Sequence, residues 1–167
     1  MSANCDWAEG LASDSVDQRI ATLRKISNQE DPVTGVTVCC VRAAGDSDDD
    51  VRMWAAEALS HAITPMATEV DSLADLLTHS DDGEICYWAA TMLGRLKSEA
   101  AAAVDALQEC VANSMYLPAR ERAVWALAEI GPAAAKAIES LEKTAQAAPP
   151  RLKRLAKEAI KSIGNAA

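Results

Sequence analysis

The chain has 167 residues and a formal net charge of -9; half of its residues are hydrophobic, yet there is no Phe and there are only two Tyr. That length is about one domain with enough apolar side chain for a sizeable core. The acidic balance argues against a general nucleic-acid binder, which needs Lys and Arg to displace counterions from phosphates.

In chain order, residues 1–12 read as an irregular arm, with Trp7 and Leu11 on one short turn laid over the first repeat. Ser15 and Gln18 offer a capping box for a helix over about residues 15–27. Asp31-Pro32 reads as an N-cap with proline at the first helical position, opening a helix to about Ala44. Gly35, the threonines and the valines there weaken it. Ser47 to Asp50 cap the next helix with carboxylates at its positive dipole end, and Thr64-Pro65 restarts the chain for a partner helix to about His79. Asp81 and Glu84 are spaced as a capping box, and Ser98 reads as the cap of a helix running to about Asn113. The loop 114–118 leads into the next helix. Gly131-Pro132 ends it and starts another, and Pro149-Pro150 opens the last helix, which ends near Gly164.

These helices repeat. Val51-Arg52-Met53-Trp54-Ala55-Ala56-Glu57-Ala58-Leu59 returns as 85–93, as 119–127 and more loosely as 152–160, so a leucine-type column falls at 59, 93, 127 and 160. Val70, Val104 and Ile138 form a second column, and Leu73, Leu107 and Leu141 a third. Helical patterning at a period of 34 and 33 residues marks a helical-repeat solenoid. Abundant alanine suits helices packed closely against each other.

The Val-Arg-x-x-Ala-Ala-x-Ala-Leu phrase, preceded by acidic turn residues, resembles the HEAT-like repeats named after phycobilisome lyases, over about residues 13–164. Cys86 stands where Arg is usual, Ala62 and Lys97 stand where Gly often ends the helix, and the first repeat matches poorly. The resemblance implies an all-α fold, a right-handed α-α superhelix of about four HEAT-like helix pairs plus a C-terminal capping helix. First helices would lie on the convex side and second helices on the concave side. The expected organisation is an arm over 1–12 and one repeat domain over 13–167. Its repeats are 13–46, 47–79, 80–113 and 114–147, with a capping helix over 149–164. Lys157, in a column of Ala56, Ala90 and Val124, is expected to close the stack.

At 100° per residue, Val51, Ala55, Leu59 and Ala62 face the partner helix, while Trp54 and Trp88 fill the surface of the neighbouring repeat. Trp125 lies on the expected solvent face with Tyr87 and Met53 on the adjoining row. Either it is an exposed interface anchor, or the 114–118 loop, with Met115 and Tyr116, covers it. On the second helices Asp71, Asp105 and Glu139 share a column, with Asp75, Glu109 and Lys143 in the next. They are expected to make an acidic groove attractive to a basic peptide or surface, unless they are simply a solvated face. Residues 1–117 carry 7 Lys and Arg against 20 Asp and Glu, whereas 118–167 carry 9 against 5. The basic residues Arg151, Lys153, Arg154, Lys157 and Lys161 on the last helix could touch an acidic partner or a phosphate backbone, or serve only as a solvated cap.

Sites for chemistry are few. The cysteines at 5, 39, 40, 86 and 110 form no Cys-x-x-Cys pair, and an odd count suggests free thiols in a reducing interior. Cys39 and Cys40, adjacent in a helix, point about 100° apart and cannot easily pair with each other. With His61 and His79 the only histidines, no zinc-ligand spacing, phosphate loop or nucleophile-base pair is evident. No catalytic residue, metal or cofactor is expected. Met1 to Gly10 do not read as a signal peptide, and no stretch reaches the roughly 18–20 apolar residues of a membrane span. The expected function is a non-catalytic protein-interaction scaffold in the cytoplasm, a monomer or weak homodimer. Its candidate partner-binding residues are Asp71, Asp75, Asp105, Glu109, Glu139, Tyr87 and Trp125. The alternatives are a bilin-lyase-like accessory, which the family name suggests, and a DNA-contacting repeat protein using the last helix.

Overall fold

Ten α-helices and short 3₁₀ and π turns account for most of residues 3–165, which the computed structural model describes, with side chains over 6–164. The Cys5 thiol and the start of the arm at Met1 lie outside the described residues. Among the described residues there is no β-strand, only one isolated bridge between Val33 and Ile63. The chain is therefore all-α, a solenoid of helical repeats. It forms two compact units, Met1–Glu69 and Val70–Ala167.

In the first unit, α1 spans Ala3–Leu11 and packs on α2, Val16–Ser27. The expected irregular arm is thus a nine-residue helix. It is held by buried Leu11 and by the close approach of Gly10 to Thr22, where any side chain on residue 10 would collide with the threonine. Ser15 caps α2 as expected, its hydroxyl accepting from the Gln18 N–H. Helix α3 is only Thr37–Ala43 and does not start at Asp31-Pro32. Its would-be first turns are drawn away by a better set of bonds. The Val33 N–H donates to Ala62 O at 2.8 Å and the Thr64 N–H donates to Val33 O at 2.9 Å. Gly35, with φ of +76°, then turns the chain in a conformation open to glycine.

The α3 start is capped from a distance. Glu69 accepts from the Thr37 N–H at 3.0 Å, from the Thr37 hydroxyl at 2.6 Å and from the Met66 N–H at 2.9 Å. Helix α4, Asp49–Glu57, is capped by Asp48, which accepts from the Asp50 and Val51 N–H groups. It runs into a π turn over Ala58–Ala62. Val51, Ala55 and Leu59 are fully buried, so the inward face is the one the pattern predicts. Trp54 is half-buried, with the Arg24 guanidinium 4.7 Å above its ring. It is a packing residue capped by a cation.

The second unit has two layers. One holds α5 (Val70–His79), α7 (Val104–Asn113) and α9 (Ile138–Ala147); the other holds α6 (Gly83–Arg95), α8 (Leu117–Ile130) and α10 (Pro150–Asn165). Leu73, Leu107 and Leu141 are wholly buried in the first layer; Ala89, Ala123 and Ala156 are wholly buried in the second. Two caps differ from expectation. Asp82, not Asp81, caps α6, accepting from the Glu84 and Ile85 N–H groups at 2.8 and 3.0 Å. Ser98 caps nothing and is exposed. The chain instead reaches α7 through a 3₁₀ stretch, Lys97–Ala103, whose Ala100 and Ala103 are buried. The same device, Gly131–Ala137, leads into α9. Gly131 opens it with φ of +70°, while Lys97, 34 residues earlier, adopts φ of +52° despite its Cβ.

Two stability predictions follow from this geometry. Glu69→Ala strips Thr37, a fully buried residue, of its acceptors and should cost about 1–3 kcal/mol in urea unfolding; an unchanged midpoint would mean that the cap carries no weight. Lys97→Gly removes the penalty of a left-handed L-residue, offset by the greater unfolded-state freedom of glycine, and should stabilise by about 0.5–1 kcal/mol in the same assay.

Candidate functional site

The residues expected to bind a partner divide between the two layers of the second unit. Asp71 and Asp75 on α5, Asp105 and Glu109 on α7, and Glu139 on α9 are all exposed. Their exposure follows from the repeat: with Val70, Leu73, Val104, Leu107 and Leu141 committed inward, these acids point to water. Two of the five are answered by lysines. Lys136 Nζ lies 2.8 Å from Asp105, and Lys143 Nζ lies 2.9 Å from Glu139, holding the Glu139 carboxyl below the usual range. Asp71, Asp75 and Glu109 have no cationic partner among the described residues.

At the end of this layer lies an open cleft of about 420 Å³, walled by Leu77, Asp81, Cys86, Glu109, Cys110 and Tyr116 among others. The 114–118 loop closes one side. Tyr116 packs so tightly over Gly83 that a side chain there would collide with its ring. The Tyr116 hydroxyl donates to the Glu84 carboxylate, an interaction that pushes the phenol up to about 12. The thiols in this cleft are poor nucleophiles. Burial, then the neighbouring Cys86, pushes Cys110 up to about 12; burial, then Asp82 and Asp81, raises Cys86. A thiol acts as nucleophile or metal ligand only as the thiolate. Cys40, in the first unit, is likewise pushed up to about 12 by burial.

Tyr87 and Trp125 meet on the other layer. Trp125 is half-buried, and its cover is neither Met115 nor Tyr116 of the 114–118 loop. Tyr116 is engaged with Gly83 and Glu84, and Met115 is fully exposed. The Trp125 ring instead packs against Gly94 of α6, where a methyl group would overlap ring carbons Cζ3 and Cε3. Arg122 bridges the two aromatics: its guanidinium stands 5.1 Å from the Tyr87 ring and 5.5 Å from the Trp125 ring, and its Nη2 donates to the Tyr87 hydroxyl at 2.9 Å. Tyr87 also makes an edge contact with buried Trp88 at 5.2 Å. With Pro118, Glu121, Arg151 and Leu155 these residues line a cleft of about 280 Å³. Met53 is an exposed side chain of the first unit. Sequence reasoning named the aromatics, and Arg151 as a residue that could touch an acidic partner, but did not place Arg122 or Gly94 in the site. The signal for Gly94 is a glycine in a column that holds Ser60 and Ala128.

Gly94→Ala should therefore force the Trp125 ring outward. Overpacking costs more than the helix propensity gained, leaving a net loss of about 1 kcal/mol. Urea unfolding reads the loss, and a red-shifted tryptophan emission reads the ring movement. A variant at least as stable, with unshifted emission, would contradict the Gly94–Trp125 contact.

Comparison with known proteins bears on the architecture. A crystal structure of an engineered protein covers 95% of this chain and 78% of its own length at 21% identity, with a TM-score of 0.61. A designed armadillo repeat protein in complex with the peptide (KR)4 covers 94% and 80% at 15% identity, with a TM-score of 0.62. A further engineered protein covers 99% and 100% at 17% identity, with a TM-score of 0.58. No curated protein matches the chain. The family model of HEAT repeats matches residues 70–161, more than half of the sequence, and the chain belongs to the HEAT repeat family.

Proposed function

We propose that this protein is a non-catalytic interaction scaffold that receives a basic peptide, or a basic strip of a folded partner, along the acidic columns of α5, α7 and α9. The single observation that carries this reading is the alignment of exposed Asp71, Asp75 and Glu109 without cationic partners among the described residues. Asp105 and Glu139 continue the columns, and their lysines are exposed on flexible stems that an incoming cation can displace. The cleft beside Glu109 and Asp81 adds apolar wall for the stem of a bound Lys or Arg. The designed armadillo neighbour shares the fold and holds a (KR)4 peptide, which makes that peptide a suitable probe. In the same proposal residues 13–167 act as one repeat domain with 1–12 as its arm. The protein works in the cytoplasm as a monomer or weak homodimer.

Isothermal titration with (KR)4 tests the reading. Rim charges contribute modestly one at a time, about 0.5–1 kcal/mol each. The triple variant Asp71→Asn, Asp75→Asn, Glu109→Gln should bind roughly tenfold or more weakly, and wild-type binding should fade as salt rises. Equal affinity of wild type and triple variant would remove the acidic columns from the function.

A further inference from the structure

The first-helix layer carries chemistry of the opposite sign. We propose that the Tyr87–Trp125 cleft is a second docking site, which takes a peptide segment bearing a carboxylate next to an aliphatic or aromatic side chain. This goes beyond the scaffold reading above, because it uses α6, α8 and α10 and none of the acidic columns.

Arg122 is the centre of the site. Its guanidinium is fixed by the Tyr87 hydroxyl and by the two ring faces, yet no carboxylate among the described residues pairs with it. A guanidinium held in place by neutral aromatic partners keeps its fork of N–H donors for a carboxylate, and little rotamer freedom is left to lose on binding. A second guanidinium, Arg151, stands at the rim. It is shared with Glu121 at 3.2 Å, but 73% of its side chain is exposed whereas Glu121 is nearly covered. Glu121 is therefore satisfied by the protein, and the outward N–H groups of Arg151 remain available. Arg95 adds to the positive field: desolvation first, then the like charge of Arg122, draws it below its ordinary value.

The apolar part decides the class of ligand. Leu155, Pro118 and the Trp125 ring wall the cleft, and its volume of about 280 Å³ is at the small end for a ligand pocket. That suits one anchoring side chain with an acid beside it. A phosphate backbone gains nothing from a leucine and proline wall, and one unpaired guanidinium with a half-shared second releases few counterions. Residues 118–167, which supply most of the site, carry 9 Lys and Arg against 5 Asp and Glu, so the local field favours an acidic segment.

The test uses the full chain and fluorescein-labelled peptides at low ionic strength, read by anisotropy. The expected result is that (DL)4 binds while (KL)4 and (DG)4 bind at least tenfold more weakly. Arg122→Gln should cost (DL)4 tenfold or more, and Arg122→Lys should restore only part, since an ammonium lacks the fork. The triple variant of the acidic columns should bind (DL)4 as wild type does, so failure of this site and failure of the basic-peptide site are read separately. Should Arg122→Gln unfold by circular dichroism, Arg151→Gln, on an exposed side chain, replaces it with an expected loss of about threefold. Unchanged binding by the arginine variants, equal binding of (DG)4 or (KL)4, or no binding of (DL)4 would overturn the proposal. Binding of an octathymidylate as tight as that of (DL)4 would reassign the cleft to nucleic acid.

Discussion

Everything else in this protein depends on how closely its helices can approach. Ala55, Ala89, Ala123 and Ala156 hold one position of the repeated phrase, and each is at 0% exposure. In the second unit the last three lie wholly buried on α6, α8 and α10. A larger side chain there would push helix axes beyond the roughly 8–10 Å typical of close pairs. Buried leucine alone would not achieve this spacing. Leu73, Leu107 and Leu141 fill the volume on the other layer, but the alanines set how tightly the layers close.

Close stacking has a consequence for function. When each repeat lies in register on the last, every column returns at the same place, including those that packing does not use. Asp71, Asp105 and Glu139 are aligned for the same reason as Val70, Val104 and Ile138. Aligned like charges repel, and the chain relieves part of this with Lys136 and Lys143 while leaving the α5 end unrelieved. The Trp125 cleft arises where the register is kept but its occupants change. Gly94 opens a hollow in the α6 surface, the Trp125 ring falls into it, and Arg122 takes the place held by Trp54 and Trp88. A cation in a column of tryptophans stays near the aromatic surface, because the ring faces attract it.

Periodicity made the helices, the inward faces and the exposure of the acidic columns legible before any coordinates. Residues 51, 55 and 59 or 73, 107 and 141 can bury together only if the phase is right. What stayed hidden was nonlocal. Asp31-Pro32 is a sound local helix start, yet Val33 pairs with Ala62 and Thr64 some thirty residues away. Ser98 looks like a cap until Lys97 takes a positive φ and the chain tightens into a 3₁₀ turn. The arm became a helix because Gly10 lets it lie against Thr22. The fate of Trp125 turned on Gly94, which reads in isolation as an ordinary helix glycine. Sequence patterning expresses which face is apolar; it does not express which residue of a neighbouring helix a ring will meet.

The two-layer build also explains how one small body can carry opposite charges without cancelling them. The acids of α5, α7 and α9 and the arginines of α6, α8 and α10 belong to different layers, whose axes lie about 8–10 Å apart. Where charged ends of the two layers lie more than about 8 Å apart, ions at physiological strength screen one field from the other. Each face then presents its own local potential, and the overall charge of -9 describes neither. Low salt would lengthen the reach of both fields and let them oppose each other. The separation of the two fields is thus set by the thickness of a helix pair.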